Sequence, residues 1–67
     1  MTYSKNIVRL RQGRNLSQEE VAAAIGVTPA AVCGWERGNK QMSIANLICL
    51  ADFFAVSTDE ILGRRFK

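Results

Sequence analysis

The stretch SQEEVAAAIGVTPAAVCGWERG, residues 17–38, contains two helix starts and two helix stops, with only Gly26, Val27 and Thr28 between the helices. Ser17 and Glu20 form an S-x-x-E capping box, in which each side chain satisfies a free backbone N–H at a helix start. Thr28 is a second N-cap, and Pro29 follows at the first helical position, where a missing N–H does no harm. Gly26 and Gly38 stand where each helix must end, and a left-handed cap is easiest for glycine. A joint this short forces the two helices to cross steeply, which is the geometry of a helix-turn-helix. Ala22 is small where the helices crowd each other. Val32 is apolar where the second of them packs back, and Trp35 is its inward partner.

The remaining chain also reads as helices. The first is expected over Ser4–Gln12, with Ile7, Leu10 and Arg11 at helical spacing and Gly13 and Asn15 as stops. The fourth starts at Ser43 and runs to about Phe54, with Ile44, Leu47, Ile48, Ala51 and Phe54 as its apolar stripe. The fifth is short: Ser57 caps it, Glu60 closes a second capping box, Ile61 and Leu62 pack, and Gly63 ends it. No segment alternates with the period of a strand. The expected fold is all-α, a compact five-helix domain over residues 1–67, with the helix-turn-helix at about 17–37.

Composition narrows the function. A 67-residue chain is one small domain, and such a domain buries only ~60% of its unfolded surface. Hydrophobic residues make up 48% of it, enough for a core. No apolar run is long enough to span a membrane, and the N-terminal residues carry no secretory h-region. There is no His, and the two cysteines, Cys33 and Cys49, have no further ligands to complete a zinc site. Both are expected to be reduced thiols in the cytoplasm. No paired carboxylates and no Gly-rich phosphate loop point to an enzyme, and no metal, cofactor or small-molecule ligand is expected. The net charge is +3. All of that excess lies before residue 44, in Lys5, Arg9, Arg11, Arg14, Arg37 and Lys40 against Glu19, Glu20 and Glu36. The basic half therefore contains the helix pair, which suits a polyanionic partner.

In combination, LSQEEVA, the IGV turn, WERG and LADFFAVSTDEILG resemble the Cro/repressor type of helix-turn-helix, the λ-repressor-like DNA-binding domains, over about residues 4–65. The resemblance implies a five-helix domain that binds double-stranded operator DNA, usually as a homodimer. It places Gln18, Thr28, Pro29, Ala30, Cys33 and Gly34 toward the bases. It places Ser17, Arg37, Asn39, Lys40 and Gln41 toward the phosphates. It matches Arg11 and Glu36 to a partly buried ion pair between the first and third helices. Where the family often has Pro before Ser43, this chain has Met42. Lys5, Arg9 and Arg14 are weaker candidates for phosphate contact, and Arg64, Arg65 and Lys67 read as a basic tail.

The helix that should read bases carries almost nothing to read with. Ala30, Cys33, Gly34 and Arg37 share one face. A core face would carry Leu or Ile, and a merely solvated one Lys or Glu. Small residues suit a surface that something approaches closely, and a mid-helix Gly needs such a reason. The face is expected to fit the groove, with Ala30 against a thymine methyl. Much of the specificity would then come from phosphate placement and DNA shape. Small size alone accounts for Cys33. Phe53, Ile61, Leu62 and Phe66 are expected to form the dimer patch. The expected function is a repressor. The alternative is a protein-interaction module, antitoxin-like or anti-repressor-like, on the same scaffold.

Overall fold

A computed structural model describes residues 2–63, in the helix order α1 (Thr2–Gly13), α2 (Gln18–Ile25), α3 (Pro29–Arg37), α4 (Ile44–Phe54) and α5 (Thr58–Leu62). No strand is present among these residues. Phe66 and the basic tail Arg64, Arg65 and Lys67 lie outside the described residues.

From α2 onward the starts are where capping chemistry puts them, whereas α1 begins at Thr2 rather than Ser4 and includes Gly13, with Asn15 taking the left-handed conformation after it. Ser17 and Glu20 make the full reciprocal box at α2, with the Ser17 Oγ accepting from the Glu20 N–H and the Glu20 carboxylate accepting from the Ser17 N–H. Thr28, Ser43 and Ser57 each accept one N–H from the residue three positions on. At α5 only the serine half of the expected second box is formed, because Ser57 accepts from the Glu60 N–H without a return bond from the Glu60 carboxylate. Gly26, Gly38 and Gly63 close α2, α3 and α5 in the left-handed conformation.

Ala55 closes α4 at φ 56°, the same conformation without glycine's freedom. The strain is about 1 kcal/mol, and glycine's greater freedom in the unfolded chain offsets part of any gain. Ala55→Gly should therefore raise stability by about 0.5 kcal/mol, seen as a melting midpoint ~2–4 °C higher. A lower midpoint would show that the cap is not strained.

One core draws on all five helices: Ile7 from α1, Val21 and Ala22 from α2, Val32 and Trp35 from α3, Leu50, Ala51 and Phe54 from α4, and Ile61 from α5. α3 packs against α1 and α2, α4 against α2 and α5, and α5 against α1. Two sequence expectations hold only in part here. On the α4 stripe Leu47, Ala51 and Phe54 meet the core as expected, but Ile44 and Ile48 do not. Leu50, Ala51 and Phe54 are buried, whereas Ile44 is 76% exposed and Ile48 49% exposed. ICLADFF is apolar at every position but Asp52, so periodicity alone sets its phase only loosely. The dimer patch also loses a member. Ile61 is fully buried between α5 and its neighbours, so it cannot meet a second chain. Leu62, the next residue on so short a helix, is half-buried, and Phe53 is exposed.

Candidate nucleic-acid interface

The surface that would meet DNA is built from the start of α2, the outer face of α3 and the 38–43 loop. Thr28, Pro29 and Ala30 are exposed at the start of α3, Cys33 is half-buried behind them, and Arg37 is exposed at its last turn. Asn39, Lys40 and Gln41 are exposed in the loop. Val32 and Trp35 point the other way, into the core. The helix therefore presents a low, small-residue face with cationic groups at its C-terminal end. Cys33 and Cys49 are both free thiols.

A charged clamp fixes how α3 stands. The Arg11 guanidinium forks onto the Glu36 carboxylate, Nε to Oε2 at 2.7 Å and Nη2 to Oε1 at 3.0 Å. Its third nitrogen donates to the Leu16 carbonyl at 2.8 Å. The Gln18 amide donates to Glu36 Oε1 at 2.9 Å. One carboxylate thus joins α1, α2 and α3. Both side chains of the ion pair are largely buried, 14% and 6% exposed, so the fork works in a low-dielectric setting. Burial pushes the Glu36 carboxyl upward, but the hydrogen bonds from Arg11 and Gln18 and the Arg11 charge together hold it below its ordinary value. The Glu36 hydrogen bond pushes Arg11 further upward, against an opposing effect of burial.

Gln18 is therefore a tether as well as a surface residue. One amide hydrogen is committed to Glu36, and the half-buried side chain keeps its carbonyl oxygen and second N–H for an outside partner. The capping box has a related consequence at Ser17. Its N–H and the Glu20 N–H are both satisfied internally, which leaves the amides of Gln18 and Glu19 for an anion at the start of α2.

Gly34 has a reason of its own to be glycine. It is buried, and a Cβ there would lie 2.8 Å from the Lys40 Cβ and 3.0 Å from the Lys40 Cδ. The close approach expected from DNA is made by the chain's own loop. A mid-helix Gly costs about 1 kcal/mol relative to Ala, and here it admits the Lys40 stem across α3.

Further polar side chains brace this surface and the helices behind it. The Tyr3 hydroxyl donates to the Lys40 carbonyl and accepts from the Met42 N–H, both at 3.3 Å. Met42 thus uses an N–H that the family's frequent proline would lack. The buried Ser4 hydroxyl donates to the Trp35 carbonyl. The Asn6 amide donates to the Ile61 carbonyl at 2.9 Å. Ser4, Ile7 and Arg11 share one side of α1, so the sign was two polar residues on an apolar stripe. Arg14, a weak phosphate candidate from sequence, donates to the Phe54 carbonyl at 2.7 Å and lies over the Phe54 ring at 5.1 Å. It serves the C-terminus of α4, where a cation is favoured.

Five helices around one core, with α2 and α3 packed together across the short joint of residues 26–28 and an outward small-residue face, define a helix-turn-helix domain. Residues 7–61 match the helix-turn-helix family, and the chain belongs to it. It is 36% identical over 63 residues to the HTH-type transcriptional activator BcrR of Enterococcus faecalis, covering 94% of this chain and 31% of that protein. It is similar in structure to the restriction-modification controller protein C.AhdI from Aeromonas hydrophila, with TM-score 0.84, 30% identity and coverage of 90% and 91% of the two chains. A transcriptional regulator from Listeria innocua gives TM-score 0.88 and 28% identity, over 97% of this chain and 61% of that one. The chain thus spans about a third of the curated activator's length.

Proposed function

We propose that this chain is the DNA-binding part of a transcriptional regulator that binds an inverted-repeat operator as a homodimer and represses by occupying it. The observation that carries this reading is the outer face of α3. Thr28, Pro29, Ala30 and Arg37 are exposed beside Lys40, and the core and the Glu36 clamp hold that face at a fixed angle. The proposed contacts are sorted by chemistry. Thr28, Ala30 and Gln18 meet base edges, with Pro29 and Cys33 shaping the fit. Ser17, Arg37, Asn39, Lys40 and Gln41 meet phosphates. Gly34 is kept in the site as the seat of Lys40. The role is one of binding rather than catalysis.

Membership of the family and the names of the relatives support regulation through DNA. BcrR is named as an activator, so the sign of control rests here on the simplest consequence of operator occupancy. The dimer is supported by Ile44 and Ile48, exposed one turn apart on the same side of α4, an apolar surface suited to a second chain. The cytoplasm is the compartment proposed, as the place where free thiols and DNA meet in a bacterial-type regulator. Among the described residues no helix is long and apolar enough to cross a membrane.

Selection of binding sites from a random duplex library, at near-physiological salt with competitor DNA, tests the reading. Convergence on an inverted repeat, with half-sites about one helical turn apart, is expected. Binding without convergence that vanishes as salt rises would leave only backbone attraction. The exposed α4 face would then be the place to look for a protein partner.

A further inference from the structure

The 38–43 loop is gripped from two directions by residues outside it. From α3, Gly34 makes room for the Lys40 stem, with 2.8 Å to its Cβ, 3.0 Å to its Cδ and 3.4 Å to the Asn39 Oδ1 from any Cβ placed at position 34. The Gly34 carbonyl also accepts the N–H groups of Gly38 and Asn39, at 3.1 and 3.2 Å. From α1, the Tyr3 hydroxyl bridges the Lys40 carbonyl and the Met42 N–H. One turn of the loop is thus held on both its main chain and its side chain, although Asn39, Lys40 and Gln41 are exposed. Core packing does not require such a hold on an exposed cationic segment. A charge that must meet a phosphate at a set place does, because ordering it in advance removes that cost from binding.

We propose that Gly34 and Tyr3 are positioning residues that fix Lys40 and its loop for phosphate contact, a role that rests on the DNA-binding reading above. Gly34 acts by what it lacks. A methyl group there pushes directly on the Lys40 Cβ, which cannot swing away as the tip of a long side chain can. Tyr3 acts by hydrogen bonding to the main chain on either side of Gln41. Neither residue needs to touch DNA. Lys40 carries the contact, and the two residues determine where it is carried.

The test measures binding to the selected operator and to a random duplex of equal length, by fluorescence anisotropy over a series of salt concentrations. The wild type is compared with Gly34→Ala, Tyr3→Phe, Lys40→Gly and the double variant Gly34→Ala/Lys40→Gly, each first checked by thermal melting. Gly34→Ala and Tyr3→Phe should each weaken binding to both duplexes by about five- to tenfold, and lower the salt slope by about one per chain. Lys40→Gly should show the same loss, and Gly34→Ala should add nothing to it, since the atoms it strikes are gone. Unchanged affinity and slope in the single variants would overturn the proposal. A further loss from Gly34→Ala in the Lys40→Gly background would also overturn it, because Gly34 would then be meeting DNA itself. Tyr3→Phe keeps the test decisive if Gly34→Ala does not fold. A loss with Tyr3→Phe but no change in slope would reduce Tyr3 to a structural role and refute the proposal. A wild type that binds neither duplex refutes the DNA-binding reading and this proposal with it, whereas a wild type that binds while the variants match it refutes the proposal alone.

Discussion

Ala30→Glu should abolish duplex binding and leave the fold intact. Ala30 is exposed in the first turn of α3. A carboxylate there faces solvent and favours the positive end of the helix dipole, so the melting midpoint should hold or rise slightly. On DNA the same carboxylate enters a groove walled by phosphates and displaces a methyl-sized contact. A loss of about hundredfold or more is expected, on specific and random duplexes alike. Anisotropy and thermal melting on the same preparation check both halves. Tight binding by a folded Ala30→Glu protein would show that α3 does not enter the groove.

Glu36→Ala should have the largest effect on stability. It strands the Arg11 guanidinium beneath α3 and removes the acceptor that ties Gln18 in place. Breaking a buried pair from one side costs roughly 3–5 kcal/mol, against a total of about 5–15 kcal/mol for a domain, with small domains at the low end. The midpoint should fall by more than ~12 °C. Arg11→Met/Glu36→Leu should recover part of that loss, because no charge is left buried. If the single and double variants melt together, the pair is not coupled.

The same carboxylate makes stability depend on acid. The folded state holds Glu36 below its ordinary value of 4.5, so the unfolded chain binds the proton more readily. The contribution of the pair is complete above that value and is lost as pH falls through the lower folded value. The slope of stability against pH in this acidic window should be shallower in Glu36→Ala. An identical slope would place the acid-sensitive group elsewhere.

Local chemistry made most of the fold legible. Ser17, Thr28, Ser43 and Ser57 are short-range signals, and each cap depends only on residues within one turn. The fork between Arg11 and Glu36 was legible only through the resemblance, since nothing local links those positions. The phase of α4 was legible at Leu47, Ala51 and Phe54 but not at its edge, because Leu50 and Ile48 are equally apolar and only the neighbouring helices choose between them. A mid-helix glycine signals a close approach, and at Gly34 the chain's own Lys40 makes one. Tyr3 and Arg14 were beyond reach for a common reason. Each works by hydrogen bonding to a backbone carbonyl distant in sequence, Lys40 in one case and Phe54 in the other. Side-chain type carries no record of such an acceptor.

The division of α3 into two faces has a bearing on how such a protein changes over generations. Val32, Trp35 and Glu36 serve folding, whereas Ala30 and Arg37 on the opposite side hold nothing together within the chain. Substitutions at exposed positions free of internal partners usually shift stability by only about ±0.5 kcal/mol. On the proposed reading, in which Ala30 meets base edges, a lineage can therefore rewrite Ala30 and explore new target sequences without first acquiring a sturdier fold. If α3 is the reading helix, the plainness of this face is open ground on which divergent descendants can acquire different operators.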